Sequence, residues 1–200
     1  GRSMDLQVLL AEAQAGYTGV AWKISPTESV DKLMDFFGQR LRAYWAGQGI
    51  ETLVLDAAMA AGFADIVDTW RRVQALAHFS READFEASVL TFKRAANIIR
   101  KQAEQELSGL VREDLFEAEQ ENAFWQTLIR VEPVWAKQAL EGKYADMLAQ
   151  LRELRPVVDA FFDRVMVMCD DPALRTNRLN LLFRLVSALG GVADFGKFQV

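Results

Sequence analysis

The chain has 200 residues, 51% of them hydrophobic, with 4 prolines, 12 glycines, one cysteine and a formal net charge of −5. That length suits one compact domain or two small ones, and turn residues this sparse favour helices over strands. One cysteine excludes an internal disulfide, no apolar run reaches the length of a membrane span, and the acidic balance excludes broad non-specific binding to nucleic acid.

Residues 1–4 read as a cloning remnant, which implies a natural chain that begins upstream; no basic-then-apolar leader opens the sequence. Residues 5–15 form a short helix ending near Gly16, and Tyr17 to Ile24 form a loop. Ser25-Pro26-Thr27-Glu28 matches a capping box with proline at the first helical position. The helix it opens runs to about Ala46, with Leu33, Phe36, Phe37, Leu41, Tyr44 and Trp45 as its apolar face, and Gly47-Gln48-Gly49 stops it. Ile50 to Ala61 is the next helix, closed by Gly62. Asp65 to Phe79 follows, with Ile66, Trp70, Val73, Leu76 and Ala77 inward.

Ser80 caps a helix from Phe85 to Lys101 that turns Val89, Phe92, Ala96 and Ile99 to the core. Gln102 to Val111 is ambiguous, with Ser108-Gly109 suggesting a connection. Glu113 to Leu140 carries one long helical pattern, buried through Phe116, Ala123, Phe124, Leu128 and Val131, and Pro133 predicts a kink or break near Val131. Glu117, Glu119 and Glu121 read as a solvated first turn suited to the helix dipole. Tyr144 to Leu154 is a short helix, and Pro156 starts the next. Phe161, Phe162, Met166 and Met168 read as core rather than as a hydrophobic binding groove. Asp171 is an N-cap and Pro172 the first residue of a final helix to about Leu189, so Asp170-Asp171 serve as a cap rather than a magnesium pair. Val192 to Val200 form a tail.

The run Asp163-Arg164-Val165-Met166-Val167-Met168 continues in one register through Asp170-Asp171, Ala173-Leu174-Arg175, Asn177-Arg178-Leu179 and Val192-Ala193-Asp194-Phe195. It resembles the C-terminal end of the beta subunits of tetrameric, bacterial-type glycyl-tRNA synthetases, a segment of the DALR family of anticodon-binding helical domains. Phe36-Phe37, Arg40-Leu41-Arg42, Gly49-Ile50, Lys93-Arg94 and Asn97-Ile98 are similar to the same family. The resemblance implies an all-α multi-helix fold, with a helical segment at 5–80 leading into a DALR-type bundle at 81–200. It implies the tRNA-binding part of an ATP-dependent glycine-tRNA ligase, whose aminoacylation site lies on a separate alpha subunit. The implied partners are tRNA(Gly), the alpha subunit and the rest of the beta subunit, in the cytoplasm, without DNA or membrane. ATP and glycine belong to the parent enzyme, and no cofactor is expected in this stretch. Arginyl synthetases share the DALR fold, but the Val165–Met168 run and the Lys93-Arg94 region favour the glycyl type.

The residues themselves offer no catalytic constellation. His78 is the only histidine and reads as a packed or capping residue; with Cys169 alone it cannot complete a zinc site, and no glycine-rich phosphate loop is present. The His-Asp type of domain upstream in the family has no counterpart here. Cys169 reads as a buried structural thiol, since no basic neighbour activates it. Residues 1–80 carry 7 Lys and Arg against 9 Asp and Glu, and residues 81–200 carry 16 against 19, so any RNA contact must use a local patch. Two basic groups are available: Lys93, Arg94, Arg100 and Lys101, and Arg175, Arg178 and Arg184. Read alone, both are ordinary solvated faces. With the resemblance, Lys93, Arg94, Asn97, Arg100, Lys101, Arg175 and Arg178 become the expected tRNA contacts, suited to phosphates and unstacked bases. Arg175 is equally open to a structural role, in an ion pair that fixes the helical corner. A scaffold that docks subunits with little RNA contact is the alternative function.

Overall fold

The computed structural model describes residues 4–102 and 106–198. The expected remnant at 1–3, residues 103–105 of the ambiguous stretch and the last two residues of the tail lie outside the described residues. The fold is all-α, as expected, and the one strand-like pairing among the described residues is an isolated bridge between Asp5 and Asp65. The helices are α1 (Leu6–Ala15), α2 (Pro26–Gly47), α3 (Thr52–Ala60), α4 (Ile66–Phe79), α5 (Phe85–Lys101), α6 (Glu119–Leu140), α7 (Tyr144–Ala149), α8 (Leu151–Arg164) and α9 (Pro172–Gly190), with short 3-10 turns at Glu113–Leu115 and Phe195–Lys197.

Local chemistry sets the helix starts. Asp5 Oδ1 accepts the Val8 amide at 3.0 Å, Ser25 Oγ accepts Glu28 at 3.1 Å, and Asp65 Oδ1 accepts Asp68 at 2.9 Å. Glu28 does not complete the box; its carboxylate meets Lys32 Nζ at 2.8 Å. Ser80 closes α4 rather than opening α5, and its hydroxyl bonds back to the Ala77 carbonyl at 3.0 Å. Asp171 accepts the amides of Ala173 and Leu174 at 2.8 and 3.1 Å, with Pro172 at the first position of α9, as the sequence predicts.

The bundle is α5, α6, α8 and α9: α5 packs on α8 and α9, and α6 on the same two. α7 packs on α6 and α8 of the bundle and on α4; α4 packs on α3, α3 on α2, and α2 on α1. One buried apolar set runs from Trp45 to Phe198 without interruption. Two buried asparagines stitch residues 109–112 along α9. Asn177 exchanges two hydrogen bonds with the Arg112 backbone (2.7 and 2.9 Å), and Asn180 bonds Gly109 N (3.0 Å) and Leu110 O (2.9 Å). Each side-chain amide substitutes for a neighbouring strand, so these peptide groups are satisfied.

Several expectations are corrected. On α2, Leu33, Phe36 and Tyr44 are exposed; Trp45 is buried as expected, and the helix also buries Val30 and Gly38. Gly38 brings the backbone against the Phe63 ring: a Cβ there would lie 2.8 Å from Phe63 Cζ. The seam is thus centred on a residue with no side chain, which apolar periodicity does not reveal. The 113–140 pattern divides into the 3-10 turn at Glu113–Leu115 and α6 from Glu119, and Ala123 faces solvent. Pro133 does not break α6, which runs on to Leu140. The next boundary falls at Gln150, and Pro156 lies within α8. The tail is core: Val192, Ala193, Phe195 and Phe198 are buried, and the Phe195 and Phe198 rings meet Phe92 and Phe85 of α5 with centroids 5.7 and 5.2 Å apart.

Candidate nucleic-acid interface

The corner between α8 and α9 is built from the inside. Glu121, in the first turn of α6, is 1% exposed. Its Oε2 accepts the amides of Glu117 and Ala118, both at 2.9 Å, and its Oε1 accepts Nε of Arg178 at 2.8 Å. Burial pushes the Glu121 pKa up, but the bonds from Arg178 and the two amides outweigh it and hold the carboxyl below the ordinary glutamate range. Arg178 also donates to Glu117 at 3.0 Å and to the Met166 carbonyl at 3.3 Å. Three turns of structure therefore converge on one guanidinium that is 6% exposed.

This corrects two expectations. The acidic run is a solvated turn only at Glu117 and Glu119; Glu121 is buried, and Glu117 and Glu121 are the counter-charges of Arg178. Arg178 itself is withdrawn from the basic surface, with its donors spent inside the protein. Arg175 is half-buried, and its Nη1 donates to the Cys169 carbonyl at 2.9 Å. It fixes the corner, as one of its two readings expects, but through a neutral carbonyl. Arg184 is likewise occupied, paired with Glu132 and lying 5.0 Å from the Trp125 ring centre.

Between these clamps, residues 165–168 run with a period of two. Val165 and Val167 are buried, whereas Met166 is 74% exposed and Met168 is 48% exposed. The expected core stripe holds for Phe161 and Phe162 and fails for the two methionines. Cys169 is half-exposed, with Sγ 3.6 Å from the Asp171 carbonyl oxygen, rather than buried.

The other expected contacts lie on α5. Arg94 and Lys101 are exposed, and Lys93 and Asn97 are half-buried on the same outward side. Arg94 leans towards the corner, its guanidinium carbon 4.2 Å from the centre of the Phe162 ring. Arg100 pairs with Asp194 at 3.3 Å. Lys93, Arg94 and Lys101 make no ion pair among the described residues, and neither does exposed Arg164 at the end of α8. The structure thus brings Arg94 to the methionine corner and leaves Arg100, Arg175 and Arg178 engaged elsewhere. It adds Arg164, whose signal was its place as the last polar residue before the alternating Val-Met run. A shallow depression of about 450 Å³ joins α5 to the corner, lined by Arg94, Ile98, Phe162, Arg164, Met166 and Met168 among others.

His78, near the end of α4, has an 80% exposed side chain with Nδ1 3.5 Å from Glu82. Among the described residues, no three His, Cys, Asp or Glu side chains group as metal ligands, and no helix is long and apolar enough to cross a membrane.

Comparison with known proteins agrees with this geometry. Glycine–tRNA ligase beta subunits are similar over the whole chain: 50% identical in Solidesulfovibrio magneticus and 45% identical in Oleidesulfovibrio alaskensis, each over 203 residues. The protein of the same name from Myxococcus xanthus is 35% identical over 96% of this chain. The chain spans about 29% of the length of the first two relatives and 27% of the third. The model of the DALR anticodon binding domain matches residues 89–190, a stretch holding most of α5 and all of the α8–α9 corner, and the chain belongs to that family.

Proposed function

We propose that the domain grips the anticodon arm of a tRNA, tRNA(Gly) by its relatives' names, and that it performs no chemistry of its own. It acts as part of a longer cytoplasmic glycine–tRNA ligase beta subunit, and holds the tRNA while aminoacylation proceeds on an alpha subunit that uses ATP and glycine. The observation that carries this reading is the charge of Arg94 and Arg164, which line one depression, with Lys93 and Lys101 elsewhere on α5, none of them in an ion pair among the described residues of a chain of net charge −5. Cations without internal partners are free to displace counterions from phosphate. Arginine planes and apolar side chains suit the unstacked bases of a loop.

A labelled RNA stem-loop with the glycine anticodon tests it by fluorescence anisotropy over a salt titration. Affinity should fall with salt by a log–log slope of about −0.7 per phosphate contacted. Replacing Lys93, Lys101 and Arg164 together by alanine should flatten that slope. Binding that is absent, or indifferent to salt, refutes the reading.

A second reading, docking to other parts of the longer protein, is supported by a different face. Trp22, Phe36 and Tyr44 are exposed within and just before α2, on a face of large aromatic side chains. The two roles occupy separate surfaces and are compatible.

A further inference from the structure

We propose that the depression at the α8–α9 corner receives one unstacked nucleobase of the bound RNA, held between the Arg94 guanidinium and the exposed side chains of Met166 and Met168. The proposal rests on the RNA-binding reading above and names the subsite within it.

The alternation at 165–168 is the first ground. The backbone leaves α8 extended at Val165 (φ −116°, ψ 117°) and turns at Val167 and Met168, and exposure alternates residue by residue along it. The two valines fill the core and the two methionines are presented to solvent. Methionine is flexible and polarizable, and can mould itself to a flat ring. Secondly, this presentation is fixed. Arg178 holds the Met166 carbonyl and Arg175 holds the Cys169 carbonyl, so both ends of the loop are tied to α9. Thirdly, the Arg94 guanidinium rests over Phe162, itself only 8% exposed, and so presents a planar group already braced on one side. A base could stack on the side left open.

Charge decides the occupant. Arg94 and Arg164 line the depression, and neither is neutralised by an acid among the described residues. Asp163 is also on the rim and makes no ion pair with them. An apolar protein segment would have to strand these cations, whereas a nucleotide supplies phosphate next to its base. The contacts are stacking and apolar ones, so the subsite should favour the presence of a base over its identity.

The probe is the glycine anticodon stem-loop, synthesised with an abasic nucleotide at each loop position in turn and bound to this chain at constant salt. One abasic position is expected to weaken binding on the order of tenfold, the scale of one base stacked on protein. The double substitution Met166→Ala/Met168→Ala should weaken the intact RNA by a similar factor, leave the salt slope unchanged, and suffer no further loss with that abasic RNA. Both side chains are exposed, so the far-UV circular dichroism of the variant should match the parent. Arg94→Lys, which keeps the charge and loses the plane, should show the same non-additivity. Salt-dependent binding with a flat abasic scan and an unaffected methionine variant would overturn the subsite while sparing the RNA-binding reading. Absence of salt-dependent binding would overturn both. Losses that simply add between RNA and protein changes would place the base elsewhere.

Discussion

Arg178→Ala tests the claim that the α8–α9 corner is organised by a buried charge. Arg178 and Glu121 are 6% and 1% exposed, at 2.8 Å, so removing the arginine leaves a carboxylate without its counter-ion and without access to water. Breaking a buried pair from one side costs about 3–5 kcal/mol. Glu121 would keep its two amide donors, which places the expected loss near the lower end, about 3 kcal/mol. Against a total stability of roughly 5–15 kcal/mol, that is a large fraction, and it should lower the melting temperature by about 6–12 °C for a chain of this size. Urea denaturation followed by tryptophan fluorescence and circular dichroism measures it. The control is Arg112→Ala, which removes an equally well-formed ion pair with Asp114 that lies fully in water, and should leave the midpoint where it is. A second control, Arg178→Met with Glu121→Gln, removes both charges and should restore most of the loss. If Arg178→Ala unfolds within about 1 kcal/mol of the parent, far below the cost of a broken buried pair, the corner is not held this way.

Two further outcomes follow from the same contacts. Asp171→Ala deletes the carboxylate that accepts the Ala173 and Leu174 amides and should cost about 1 kcal/mol, read from the same urea curves; an unchanged midpoint would show that water caps α9 equally well. The Glu121 carboxyl titrates below the ordinary glutamate range in the folded protein, so the unfolded chain takes up its proton first as pH falls, and the folded state loses the contribution as pH drops through the folded value. Stability of the parent should therefore decline below about pH 4.3, and Glu121→Gln should show a shallower decline over the same interval; equal slopes would show that other carboxylates dominate.

What the sequence made legible was local. The start of α9 could be read because a cap, a proline and the amides they serve lie within a few residues of one another. The helical character of each long segment followed from its own periodicity. Which side of a helix is covered did not, because that depends on partners remote in the chain. Phe36 and Tyr44 sit on a regular apolar stripe, yet α2 turns its Gly38 seam to the protein. Glu121 looked like part of an exposed acidic turn because its partner, Arg178, lies in another helix. The buried fate of Phe195 and Phe198 depends on α5 in the same way. The two-residue alternation of Val165 to Met168 was visible and does mark where the chain leaves α8, extended at Val165 and turning at Val167 and Met168. It was read with the helical stripe of Phe161 and Phe162, and so its exposed half was assigned to the core.

The distribution of partners also accounts for how an acidic chain can carry an RNA surface. Much of its arginine is internal cement. Arg72 binds the carbonyls of Ala58 and Gly62 beside Asp68, Arg178 joins α6 to the corner loop, and Arg184 meets Glu132. Those pairs use up acid and base together and leave no field for a distant ligand. Lys93, Arg94, Lys101 and Arg164 have no such partner among the described residues, and screening at physiological salt limits the reach of carboxylates on other faces to roughly 8 Å. Net charge is therefore the wrong quantity to read for this domain. What matters is which cations the fold leaves unpaired, and two of them, Arg94 and Arg164, line the depression where two methionines are held in the open.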